Sequence, residues 1–346
     1  MIGSVRVSEI GEFGLIKLLA RELGVQYLPS PGSKAPPGLL VGLGDDAVVT
    51  ARQEGALVWT TDTMLAGNHF LPELTAWPDI GWKALAVNVS DIAAMGATPH
   101  LALVTLILPE DACVEDVLAL YQGLKECAEA YGVTLGGGDI VRGPVFAVTV
   151  ALSGRADEAR AGGPRVMTRS AARTGDVIAV SGYLGDSAGG LRLLQDGADL
   201  ASAAALYLRL AHERPQPSVS LGRAAVRAGV RCAIDVSDGL VQDLGHIASA
   251  SAAGIRVEAN RIPLSNALHE TFPGRALGLA LTGGEDYELV LIGPRPAIES
   301  LLNHDTTVTE IGQVVEHDGP HVAVVDETGR EIPLPHAGGW DHFANP

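Results

Sequence analysis

Five short segments set an aspartate beside glycine, serine or threonine at the edge of an apolar run. They are GDD (Gly44 to Asp46), TTD (Thr60 to Asp62), NVSD (Asn88 to Asp91), GGGD (Gly136 to Asp139) and IDVSDG (Ile234 to Gly239). Aspartate is poor in strands and costly to bury, and few lysines or arginines stand nearby to pair with these. Oxygen-only ligands suit Mg²⁺, which takes one or two carboxylates together with waters and phosphate oxygens. Glycines beside the acids let backbone approach a phosphate and offer N–H donors. The set therefore predicts several Mg²⁺ ions shared with a polyphosphate. Taken singly, each member also reads as a turn or cap residue. Asp238 can start a helix at Gly239, and Asp45 and Asp46 can sit solvated in a β-turn. The set carries the metal reading.

Other residue types fit an anionic ligand around such a cluster. His69, in AGNHF shortly after Asp62, can donate to an anion or serve a structural role. Arg142 and Arg169 stand on glycine- and serine-containing segments suited to phosphate or to the open surface. Glu285 and Asp286 in GGEDYEL precede a strand and can face a cationic ligand. Trp340, near the end, offers a ring for stacking or a tail anchor. Several familiar chemistries are excluded. VGLGDDA contains G-x-G-x-x-A, but Ala47 to Thr50 continues as strand, so no helix follows to hold a pyrophosphate. There is no G-x-x-x-x-G-K-[ST], no protein-kinase set, no G-x-S-x-G and no H-E-x-x-H.

The 346 residues, 47% of them apolar, are enough for two domains with aliphatic cores. A formal charge of −17 argues against a nucleic-acid or anionic-membrane partner, yet allows an anionic small ligand that arrives with cations. Cys113, Cys127 and Cys232 are isolated, as suits a reducing cytoplasm. No signal peptide is evident, and no apolar run reaches the roughly 18 residues of a membrane span. The chain is expected to be soluble and cytoplasmic.

Periodicity and stop signals position the candidate residues. A helix capped by Ser8 runs to Leu23, and a proline- and glycine-rich loop follows over 25–38. Acidic strands lie within 39–70, a helix over Trp77–Met95, a strand over His100–Leu108 and a helix over Val114–Tyr131. A short strand leads into a GGGDIVRG loop, and Val145–Leu152 is strand. The polar stretch 155–165 marks a boundary, giving domains 1–155 and 156–346. The second holds a buried strand at Val177–Val180, a strand-to-helix turn at IDVSDG, a strand at Glu288–Ile292 and a hairpin turning at Glu327–Gly329.

The collinear set GEFGLI, GLGDDAV, TTDTMLAGNHF, KALAVNVSDIAAMGA, GGGDIVRG, TRSAARTGD, SGYLGDSAGGL, IDVSDGLVQDLGHI, TGGEDYEL, IGQV and GWDHF resembles the thiamine-monophosphate kinase family over almost the whole chain. That family lies in the aminoimidazole ribonucleotide synthetase-like superfamily. The resemblance implies a two-domain α/β (α+β) fold. The N-terminal sheet would form a barrel-like core across a homodimer, and a C-terminal α+β domain would close over the site. It implies transfer of the ATP γ-phosphate onto thiamine monophosphate, with Mg²⁺ as cofactor and neither nucleic acid nor membrane as partner. By position, Asp46, Thr60, Thr61, Asp62, Asp91, Asp139, Asp235 and Asp238 resemble the magnesium set, with Asp62, Asp91 and Asp139 central to catalysis. Gly138, Arg169, Ser237 and Tyr121 resemble nucleotide contacts, and His69, Glu285 and Trp340 contacts to thiamine phosphate. Gly136 departs from the pattern, where an aliphatic residue often precedes GGD. Two rival readings are an ATP-dependent enzyme of the superfamily with another acceptor, and a non-catalytic nucleotide-binding subunit. Retention of every aspartate argues against the second.

Overall fold

The computed structural model describes residues 5–24, 39–41, 49–50, 55–158, 163–197 and 202–333. Asp45, Asp46, Trp340 and the 25–38 loop lie outside them. The chain divides into two compact α/β units. Met1–Ile92 with Thr98–Arg155 forms one, and Ala93–Ala97 with Ala156–Pro346 the other.

In the first unit, α1 (Val7–Glu22) starts one residue before the expected cap. Gly11, at φ 69° and ψ 173°, interrupts it. Glycine alone adopts such a backbone cheaply, so the turn escapes a reading based on apolar spacing. Strands β1 (Leu39–Val41) and β2 (Val49–Thr50) pair antiparallel. A mixed four-stranded sheet follows, made of β3 (Leu57–Leu65), β4 (Thr98–Leu108), β5 (Thr134–Arg142) and β6 (Ala147–Arg155). Its order is β3-β6-β4-β5, with only β4 and β5 parallel.

Helices α2 (Trp77–Ala94) and α3 (Val114–Tyr131) complete the unit. From Ile80 to Ser90 every residue of α2 is buried, the polar Lys83, Asn88 and Ser90 among them. The two helices touch backbone to backbone: a Cβ on Gly123 would fall 1.7 Å from Pro78 O, and one on Gly81 1.9 Å from Leu120 O. The sheet is two-faced. Ala102, Val104, Leu106, Val148, Val150 and Leu152 are buried on one side. On the other, Thr61 and Thr63 are exposed and Thr105 and Thr149 half-buried.

The second unit holds a six-stranded sheet of β7 (Val177–Ser181), β8 (Cys232–Asp235), β9 (Gly254–Glu258), β10 (Leu289–Gly293), β11 (Val308–Val315) and β12 (His321–Val325). Its order is β12-β9-β11-β7-β10-β8, antiparallel except for β12 beside β9. Strand residues alternate between two cores, as the two-residue period of a strand requires. Ile178, Val180, Ile234, Val290 and Ile292 join a core with α7 (Leu240–Ser251). Val177, Ala179, Ala233, Leu289 and Leu291 join another with α6 (Val219–Ala228) and α10 (Arg295–His304). A smaller core unites α4 (Asp186–Gln195), α5 (Ala203–Glu213), α8 (Asn266–Thr271) and α9 (Ala276–Thr282). The turn read at Glu327–Gly329 is present, closed by an antiparallel bridge between Val325 and Glu331. Among the described residues no helix is long and apolar enough to cross a membrane.

Candidate functional site

In the first unit, alternation along β3 separates the residues of TTD. Thr60 and Asp62 lie on the half-buried face, while Thr61 is exposed on the other with Trp59 and Thr63. The Thr60 hydroxyl donates to Asp91 Oδ2 on α2, which brings the TTD and NVSD segments together. One turn before Asp91, Asn88 is fully buried. Its Nδ2 donates to Ala84 O at 3.0 Å, and its Oδ1 has no hydrogen-bond partner among the described residues.

GGGD differs from its expected loop: it lies inside β5, parallel to β4. The reason is visible at Gly138, where a Cβ would fall 1.7 Å from Val104 O. Glycine there lets the strands pair closely, and its packing role is separate from any ligand. Pairing fixes where the acids stand. Asp62 opposes Val150, Val150 opposes Val104, and Val104 opposes Gly138; one row further, Thr63, Thr149, Thr105 and Asp139 align. Asp62 and Asp139 thus occupy opposite edges of the sheet. At about 4.8 Å per strand, their backbones lie about 14 Å apart.

His69 sits in the turn after β3. Its Nδ1 accepts from Leu65 N at 3.1 Å, so a neutral ring carries its proton on Nε2 and can donate outward to an anion. The aromatic group Phe70, Trp77 and Phe146, with ring centroids 4.6 to 6.3 Å apart, packs at the end of this turn. Tyr121 is buried on α3, and burial raises its phenol well above the ordinary value. Arg142 is largely exposed, 3.8 Å from Glu110.

In the second unit, β8 and β10 pair so that their end loops run side by side. Asp235 ends β8 and is buried. Ser237, Asp238 and Gly239 form the turn into α7, and all three backbone amides donate to Asp243 Oδ2 at 3.1 Å. Asp238 also accepts from Gln242 Nε2 at 3.2 Å. Burial, then the charges of Asp235 and Asp238, push the Asp243 carboxyl up to about 7, against the pull of the amides. Asp238, Asp243 and His246 carry possible ligand atoms within 4.8 Å of one another. Asp243 and His246 escaped the motif reading; the only signal for Asp243 was an acid in the first turn of the helix after IDVSDG.

GGEDYEL lies against that turn: Glu285 N donates to Ser237 O at 2.8 Å and Tyr287 N to Val236 O at 2.9 Å. Asp286 accepts from Gly185 N at 2.7 Å and Ser187 N at 3.1 Å, which caps α4. Loss of solvent raises its carboxyl well above the usual range despite those amides. Glu288, bonded by the Ser181 hydroxyl, is raised to about 7, chiefly by desolvation and then by the charges of Asp186 and Asp305. Arg169 is exposed on a short 3-10 turn, and its carbonyl accepts from Ser251 Oγ at 2.8 Å. Within this unit the structure brings Asp235, Ser237, Asp238 and Glu285 together. Apart from the His246 imidazole, the donors are carboxylates and hydroxyls, with no thiolate among them, which fit magnesium rather than a thiophilic metal.

Two family models match. The AIR synthase related protein N-terminal domain covers residues 44–156, and the C-terminal domain covers 173–325. The thiamine-monophosphate kinase of Escherichia coli K12 is 41% identical over 315 residues, spanning 88% of this chain and 93% of that protein. The crystal structure of thiamine-monophosphate kinase from Stenotrophomonas maltophilia K279a superposes with a TM-score of 0.76 at 39% identity, covering 90% of this chain and 96% of that one. A solved structure named AaThiL complexed with AMPPCP and TMP superposes with a TM-score of 0.74 at 34% identity, covering 98% and 99%. With both family models and near full-length relatives in agreement, the chain belongs to the thiamine-monophosphate kinase family of AIR synthase related proteins.

Proposed function

We propose that this chain transfers the γ-phosphate of ATP directly onto thiamine monophosphate, giving thiamine diphosphate and ADP. The reading rests on likeness across 98% of the chain to a protein solved with AMPPCP and TMP. Magnesium would be held by Asp46, Thr60, Thr61, Asp62, Asp91, Asp139, Asp235 and Asp238, the nucleotide by Gly138, Arg169, Ser237 and Tyr121, and the acceptor by His69, Glu285 and Trp340. The oxygen donors and the Thr60–Asp91 contact support this assignment. The same reading sets the enzyme in the cytoplasm.

The acceptor is a phosphate monoester, mostly a dianion near neutrality because its second pKa is about 6. No residue needs to remove a proton from it, so the chain's work is positioning and charge control. His69 Nε2–H donates to a phosphate oxygen. Glu285 would complement the cationic acceptor, and Trp340 would stack on one of its rings. The chemistry supplied by bound magnesium is neutralisation of charge between donor and acceptor oxygens. Incubation with Mg-ATP and thiamine monophosphate should yield thiamine diphosphate and ADP; ADP formed only with another acceptor overturns the assignment.

A second proposal, implied by the family resemblance, is that the enzyme works as a homodimer sharing its sites, with the N-terminal sheets joined into a barrel-like core. Ligand oxygens of one magnesium lie within about 4 Å of each other, whereas Asp62 and Asp139 stand at opposite sheet edges. A common cluster then joins Asp62 to Asp139 of the partner subunit. The D62N and D139N variants should each lose most turnover. Their purified heterodimer should regain about half of wild-type activity, since two-fold symmetry rebuilds one intact site. An inactive heterodimer overturns the shared site.

A further inference from the structure

Glu285 and Tyr287 both hold positive φ, at 66° and 51°, on either side of Asp286. Side chains other than glycine keep such backbone only where their surroundings over-determine it. Here Asp286 grips two amides at the start of α4, and the amides of Glu285 and Tyr287 bond the turn after β8. That anchors the backbone of Glu285 but leaves its three side-chain torsions to be ordered. Against the carboxylate stands His212, from α5. Its Nδ1 lies 3.4 Å from Glu285 Oε2 and 3.0 Å from Ser187 Oγ, and the residue is 6% exposed. Ser187 belongs to the same α4 terminus that Asp286 caps, so one helix end steadies both the backbone and the partner of Glu285.

We propose that His212, held by Ser187, is a positioning residue that orients the Glu285 carboxylate and so sets affinity for the cationic acceptor while leaving ATP binding unchanged. The inference rests on the reading of Glu285 as an acceptor contact. Ordering a long carboxylate side chain before the ligand arrives removes a cost from binding, and the His212 ring 3.4 Å from the carboxylate supplies that order.

The test is steady-state kinetics on the full chain with Mg-ATP and thiamine monophosphate. H212L should raise KM for thiamine monophosphate about tenfold, with kcat and KM for ATP unchanged. H212N, which returns a donor near the Nδ1 position, should recover most of the loss. S187A, a smaller change that guards against misfolding of the first variant, should shift the same KM in the same direction by less. The double variant E285Q/H212L should be no worse than E285Q alone, because His212 acts through Glu285. Additive losses, or an equal rise in KM for ATP, would indicate a merely structural role and overturn the inference. A wild type that ignores thiamine monophosphate overturns the proposed function and this inference with it. A wild type that phosphorylates it, with an unchanged KM in H212L, overturns this inference alone.

Discussion

Asp243 gathers three backbone amides on one oxygen and thereby shapes the turn that presents Ser237 and Asp238. Replacing it with alanine leaves three donors to find water or collapse, a cost of about 1 to 3 kcal/mol for each left buried. D243A should therefore raise KM for ATP at least about tenfold. D243N, whose amide oxygen still accepts, should lose less; equal KM values for both variants and wild type would remove Asp243 from the site. Glu288 makes a pH prediction. Its folded pKa, about 7, lies above the ordinary carboxylate value of 4.5. The folded state therefore binds the proton more tightly, and the stability gained is complete below the unfolded pKa and lost as pH rises through about 7. Melting temperature should fall from about pH 5 to about pH 8, and E288Q should flatten the decline. The residues on which these predictions turn were unevenly legible in the sequence. The candidates Asp62, Asp91 and Glu285 stand out through their sequence neighbours, whereas His212 and Ser187 meet Glu285 only because α4 and α5 pack, a long-range fact that spacing does not encode.

At the scale of elements, periodicity found α3 with its observed ends and β4 within two residues, because burial enforces apolar spacing in both. It misread GGGDIVR. Three glycines suggest a loop, yet here they lie in an edge strand, and at Gly138 the carbonyl of Val104 leaves no room for a Cβ. The same reasoning applies to the helix pair. G123A sets a methyl against Pro78 O and should cost about 1 to 3 kcal/mol, the range for overpacking. Thermal unfolding of G123A should show that loss, with KM values unchanged in the enzyme that remains folded. A melting temperature equal to wild type would contradict the backbone contact.

For the whole molecule, the proposed dimer requires a surface, and the open face of the first sheet has the right character. Leu57 is 48% exposed, Trp59 60% and Val141 43%. Aromatic residues such as Trp59 are enriched at the centre of interfaces. W59K should shift the light-scattering mass from dimer to monomer and abolish turnover together. A monomeric wild type, or a dimeric and fully active W59K, would exclude this face. The partnership came to the sequence only through the family resemblance, since sheet order, which separates Asp62 from Asp139, cannot be read from spacing alone.

Under the role proposed for Glu285, its left-handed backbone also ties durability to activity. A side chain held at positive φ costs about 1 to 2 kcal/mol relative to glycine, so this position carries its carboxylate at the expense of resilience to heat. E285G should then melt above E285A by a margin of that size while neither takes the acceptor well. Selection for thermal tolerance alone would drift toward glycine at 285, and selection for turnover would hold glutamate there. An enzyme recovered from each regime should reveal which pressure acted.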